Sequence, residues 1–133
     1  MEEWKRWEPM QGLSGRFVID SLMLSYDALI IQLSAEDNDT KIEIVFDGNI
    51  DAYRYTNESF CFTIFSDLSK KYGDDFYSNC SFFKITNSEY IQWISGKSAG
   101  WADALPFRHF CIVGNDEVLD ILACYEPKVK IIE

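Results

Sequence analysis

The chain has 133 residues, 47% of them hydrophobic and 16% aromatic, and a net charge of −10. That composition excludes a disordered segment and favours one packed domain. The acidity argues against nucleic acid or an anionic membrane as a partner and favours a basic one. No apolar run approaches the length that crosses a bilayer, and Met1–Pro9 lacks the apolar centre of a signal peptide, so the expected location is the cytoplasm.

In residues 1–14, Trp4, Trp7 and Met10 recur at three-residue spacing; an arm covering a sheet edge is the preferred reading over a short helix. Residues 17–24, 28–33 and 41–46 read as three strands. In the third, Ile42, Ile44 and Phe46 alternate with Lys41, Glu43 and Val45, the period of a sheet wet on one face. Ser25–Asp27 and Glu36–Asp39 are short connections, which makes the three an antiparallel meander. After a turn at Asp47–Asn49, residues 50–55 read as a fourth strand.

Residues 60–72 fit two patterns. Cys61, Ile64, Phe65, Leu68 and Tyr72 share a helical face, whereas Phe60, Phe62 and Ile64 alternate. Ser59 as a cap and Lys70, Lys71 and Gly73 at the far end favour a helix. A loop is expected at 73–75, a strand at 81–86, a short helix through Trp93 capped by Asn87 or Ser88, and a flexible loop at 95–100.

Residues 107–113 and 118–124 flank Gly114-Asn115-Asp116-Glu117 and predict a β-hairpin, with Gly and Asn supplying positive φ in its turn. The first arm carries so little charge that it reads as a central strand buried on both faces. After Pro127, Val129, Ile131 and Ile132 form a last edge strand. The expected fold is thus α+β: mainly antiparallel sheet, a meander plus a C-terminal hairpin, with one or two helices on one side.

Candidate chemistry is sparse. Cys61, Cys80, Cys111 and Cys124 lack metal spacing and read as free thiols in a reducing compartment. The one histidine, His109, shares a strand face with Cys111; a hydrogen-bonded core or edge histidine is favoured over a nucleophile–base pair. Gly96-Lys97-Ser98 matches only the end of a phosphate loop, with Ile91 where its first glycine belongs. Asp37-Asn38-Asp39-Thr40-Lys41 begins like a calcium loop but places a lysine at a ligand position. Neither a metal nor a cofactor is expected. The acids are unevenly spread, 13 against 5 bases in residues 1–67 and 9 against 7 in residues 68–133, so a docking face is sought in the first half. Asp37, Asp39, Asp51 and Glu58 are its candidates. Among the aromatics Tyr53, Tyr55, Tyr90, Trp93 and Trp101, basic residues are not interleaved, which excludes a base-stacking platform. Tyr90 and Trp101 are the candidate partner anchors.

Phe82–Trp93, His109-Phe110, Asp120–Ala123 through Glu126-Pro127, and Tyr53–Glu58 together resemble a group of small bacterial proteins. Some members of that group look like immunity proteins, encoded beside wall-associated or polymorphic toxins of Gram-positive bacteria. The shared motifs are structural and carry over no active-site residue. The resemblance implies a non-catalytic protein that binds and neutralises a cognate toxin, and the acidity suits a basic one. A domain binding a small ligand inside a half-barrel sheet is the alternative, and an enzyme built on the carboxylates a third reading.

Overall fold

Alternation along the strands places each of them. A computed structural model describes residues 2–13 and 15–132, so Met1 and Ser14 of the predicted arm lie outside the described residues. Strands β2 (Phe17–Leu24), β3 (Leu29–Ala35) and β4 (Lys41–Phe46) form the expected meander, and β9 (Lys128–Ile132) adds to the free edge of β4. A second sheet runs β1-β6-β7-β8-β5, from β1 (Glu3–Arg6), β6 (Phe82–Thr86), β7 (Arg108–Val113), β8 (Glu117–Ala123) and β5 (Ala52–Asn57). All pairings between these strands are antiparallel. The architecture is α+β with mainly antiparallel sheet.

The two sheets share one core. Leu29, Ile31, Leu33, Ile42, Ile44 and Phe46 face Phe82, Phe110, Ile112, Leu119 and Ile121 across it. Each such side chain contributes about 1.5–3 kcal/mol by leaving water. The space inside the sheets, where the alternative reading expected a ligand, is therefore filled by side chains. Ser81 stitches the layers together: its hydroxyl accepts from the Phe17 amide at 2.8 Å and is itself fully buried.

The opposite face of the five-stranded sheet carries helices, so β7 and β8 are buried on both sides, as the charge-poor sequence of β7 predicts. Helix α1 (Phe62–Tyr72) drives Phe65 and Leu68 against Phe83, Cys111, Val113, Val118 and Trp4. Lys70 and Lys71 stand in its last turn, where the helix dipole favours them. The N-terminal arm does cover a sheet edge, and does so as a strand: Trp4 is buried edge-on against Phe83, while Trp7 tilts over Phe110.

Several expectations need correction. The fourth predicted strand, β5, starts at Ala52 and leaves the meander for the second sheet, where it pairs with β8. Ser59 does not cap α1; the side chain of Asn57 caps a short 3-10 turn at Glu58–Phe60, and Cys61 precedes α1 without a side-chain cap. A one-turn helix, α2 (Asp75–Ser78), replaces part of the predicted loop. Helix α3 (Glu89–Lys97) continues past Trp93 into the first half of the 95–100 stretch expected to be a flexible loop, and a 3-10 turn follows at Trp101–Ala104. The β7–β8 turn has no positive φ at Gly114 or Asn115. The four residues between the register partners Val113 and Val118, closed by Gly114 N–H to Glu117 O at 2.9 Å, make a loop of the length built around an ordinary type I turn.

Candidate functional site

On the helical face of the central sheet, the alternation that sends Phe110 and Ile112 inward sends His109 and Cys111 outward. From β8 the same rule presents Asp120. A carboxylate inside the apolar run Val118–Ala123 needs partners, because burying it alone is costly. It has two. His109 Nε2 lies 2.6 Å from Asp120 Oδ1, and Arg54 Nε donates to Asp120 Oδ2 at 2.9 Å. His109 Nδ1 is in turn 2.6 Å from Ser88 Oγ, and Ser88 Oγ accepts from the Ile91 amide at 3.0 Å as the cap of α3. Asn87, in the left-handed region at φ 52°, turns the chain so that Ser88 meets the histidine.

This arrangement satisfies its buried members, Ser88, His109 and Asp120. With His109 neutral, its Nε2–H donates to Asp120, and Nδ1 accepts the Ser88 hydroxyl proton. Burial works to raise the Asp120 carboxyl, but the hydrogen bond from His109, together with the charge and hydrogen bond of Arg54, holds it below the ordinary carboxylate range. Burial pushes the Cys111 thiol far up, and the Asp120 charge adds to that. Ser, His and Asp are thus in line, as in a hydrolase. Ser88, however, is buried, pinned by a helix amide and reached from the wrong ring nitrogen for the usual order.

Arg54 is the outlet of this network. Its guanidinium stacks over the Tyr90 ring at 4.2 Å and its side chain is 47% exposed. Neither Nη nitrogen hydrogen-bonds to another described residue. Tyr90, 4% exposed, is therefore a support for Arg54 and His109 and not a surface anchor, which corrects the expectation for that residue. Its neighbour on α3, Trp93, is 55% exposed, and Trp101, beyond the end of α3, is 72% exposed and remains available as an anchor. At the start of α1, Phe60 and Phe62 are 83% and 79% exposed on either side of buried Cys61. Cys61 is close enough to Asp120 and Arg54 to feel their charges.

The candidate acids do not form one face. Asp37 and Asp39 stand exposed in the β3–β4 loop, and Asp37 lies beside Gly15. Arg16 links that end to the β7–β8 turn: it approaches Glu36 at 4.0 Å and donates to Gly114 O at 2.6 Å. Glu58 joins the same end through its amide, which donates to Asp116 O at 2.8 Å. Asp51 lies at the other end of the sheets, beside the Ser25–Ala28 turn, roughly 20 Å away along the six residues of β4. Three of the four acids are thus brought together, with Glu36, Asp116 and Glu117, and one is not.

Sequence reading passed over Ser88, Asp120 and Arg54 as a unit. The available signal was Asp120 itself, a charge inside a run otherwise fit for a fully buried strand. An open groove of about 860 Å³ lies between β1, α1 and α3, with Trp4, Ile64, Leu68, Lys71 and Glu89 among its walls. Among the described residues, no group of three or more His, Cys, Asp or Glu is placed to hold a metal ion, and no helix is long and apolar enough to cross a membrane. Comparison with protein-family models, with curated proteins and with solved structures returned no match.

Proposed function

We propose that this protein is a non-catalytic binder of the immunity type, which neutralises a basic protein toxin by occupying its surface. The observation that carries the reading is the exposure of large aromatic side chains, Phe60, Phe62, Trp93 and Trp101, around the α1 and α3 face. Large aromatic side chains left in solvent are candidates for an interaction surface, and aromatic side chains are what interface hot spots are made of. The net charge of −10 favours encounter with a cationic partner. The Ser88–His109–Asp120 line supports the same reading, because its hydrogen bonds are spent inside the protein.

The test is co-expression with a basic toxin encoded beside the gene. The native chain should protect the host and co-purify with the toxin. A Phe60→Ala/Phe62→Ala/Trp101→Ala variant, which folds because these side chains are solvent-exposed, should lose at least tenfold in affinity through faster dissociation, about 1.4 kcal/mol or more. Unchanged affinity in that variant, or failure of the native chain to bind any neighbouring toxin, would overturn the reading.

A further inference from the structure

We propose that Arg54 is the central anchor of the binding face and that it receives a single carboxylate presented by a protein partner. The proposal rests on the binding reading above and specifies its principal contact. Three observations converge on it. First, the guanidinium is already oriented. Asp120 fixes Nε, Tyr90 holds the plane from below, and Asp120 is in turn held by His109 and Ser88. An arginine so restrained loses little freedom on binding. Second, both Nη nitrogens are free of hydrogen bonds to other described residues, on a half-exposed side chain. The remaining donors of a guanidinium fork match the two oxygens of a carboxylate. Third, Trp93 on α3, with its ring 6.1 Å from that of Tyr90, is exposed, and Phe60 and Phe62 are exposed on either side of Cys61, which is close enough to Arg54 to feel its charge. Such a rim excludes water from a central charged contact and strengthens it.

The surrounding charge decides the kind of anion. Asp120 lies directly behind Arg54, and Glu58 is four residues along the chain. A phosphate, with up to two negative charges, meets that repulsion more strongly than a carboxylate with one. An acidic patch would be rejected by the rest of this surface. A lone aspartate or glutamate on an otherwise basic surface satisfies both the local site and the long-range field.

The experiment is a titration of the full-length chain, labelled with ¹⁵N, followed at the Arg54 side-chain and Trp93 indole resonances. The probes are N-acetyl-tryptophan, its uncharged amide, and inorganic phosphate. N-acetyl-tryptophan should shift both resonances saturably, at least tenfold more tightly than the amide and more tightly than phosphate. Arg54→Lys, which keeps the charge but loses the fork, should weaken the carboxylate by fivefold or more. Trp93→Ala, at an exposed position, should weaken it severalfold without disturbing the fold. An Arg54 resonance unmoved by N-acetyl-tryptophan, moved equally by the amide, or more responsive to phosphate would overturn the proposal. None of those results bears on whether the aromatic variant loses the toxin, so the two readings fail separately.

Discussion

His109 Nε2 sits 2.6 Å from Asp120 Oδ1 although the two residues are not register partners: His109 lies opposite Leu122, and Asp120 lies opposite Cys111. They meet on the diagonal of the β7–β8 pair, on one face of the sheet, where long side chains can reach across. The carboxylate reaches Arg54 of β5 with its other oxygen. Asp120 thus ties the edge strand, the central hairpin and, through Ser88, the cap of α3 into one unit.

Removing that carboxylate should be expensive. Asp120→Ala leaves the buried Nε2–H of His109 without its acceptor and the half-exposed Arg54 without its partner, and an unsatisfied buried donor costs about 1–3 kcal/mol. The pH dependence carries a sign. The folded carboxyl lies below its ordinary value of 3.8, so the stability it contributes is complete above that value. It is lost as pH falls through the lowered folded value. Urea unfolding of the native chain and of Asp120→Asn should therefore differ most near neutrality and converge in acid. A difference that stays constant down to about pH 2 would remove the electrostatic explanation.

Much of the architecture was legible because it depends on local pattern. The period of two in Lys41–Phe46 and the short turns gave the meander, and the charge-poor run at Phe107–Val113 gave the central strand. The second sheet's order was not legible, because nothing local tells β5 to pair with β8 instead of β4. The turn chemistry misled as well: Gly114-Asn115 suits positive φ, yet a four-residue loop does not require it. At the candidate site, His109 could be read as a hydrogen-bonded core or edge histidine. Its partners could not be named, since Ser88 is 21 residues and Asp120 is 11 residues away along the chain.

Ser81 offers a test of how the layers are joined. Its hydroxyl serves the Phe17 amide in a fully buried position. Ser81→Ala would leave that amide without a partner, at a cost of about 1–3 kcal/mol. The expected signature is local as well as global: hydrogen exchange at the Phe17 amide should quicken relative to Leu33 and Ile42. An unchanged melting curve together with unchanged exchange would mean that another group serves Phe17.

The thiols should behave as structural groups. All four cysteines are free, and burial is the leading cause raising each thiol above its ordinary value. The thiolate is the reactive form, so alkylation at neutral pH should be slow in the native chain. Cys111 and Cys61, both buried, should resist longest, and Cys124, partly exposed, should react first. Unfolding in urea should release four thiols at ordinary rates, as read by mass spectrometry. Rapid native labelling at Cys111 would contradict the packing of β7 beneath α1.

Trp4 measures the worth of the N-terminal strand. It is buried against Phe83 in the smaller core, and its own amide donates to the Tyr72 hydroxyl at 3.0 Å. Trp4→Ala should cost about 3–5 kcal/mol if the arm is integral to the sheet. A loss below about 1 kcal/mol would show that the strand frays from β6 in solution and that its edge is free.

The separation of the acids makes the charge argument testable in a way a single acidic face would not. Asp37 and Asp39 lie at the end that also carries Glu58, Asp116 and Glu117, whereas Asp27 and Asp51 lie at the opposite end. Asp37→Lys/Asp39→Lys and Asp27→Lys/Asp51→Lys change the net charge equally. If the acidic end faces the proposed toxin, the first pair should slow association about tenfold at low salt and flatten its salt dependence, and the second should slow it far less. Dissociation rates should hardly move in either case, because rim charges act mainly on encounter. Stopped-flow association at two ionic strengths reads both. Equal slowing by the two pairs would mean that only net charge steers the encounter. No slowing by either would mean that the acidity serves solubility and that the aromatic face carries recognition alone.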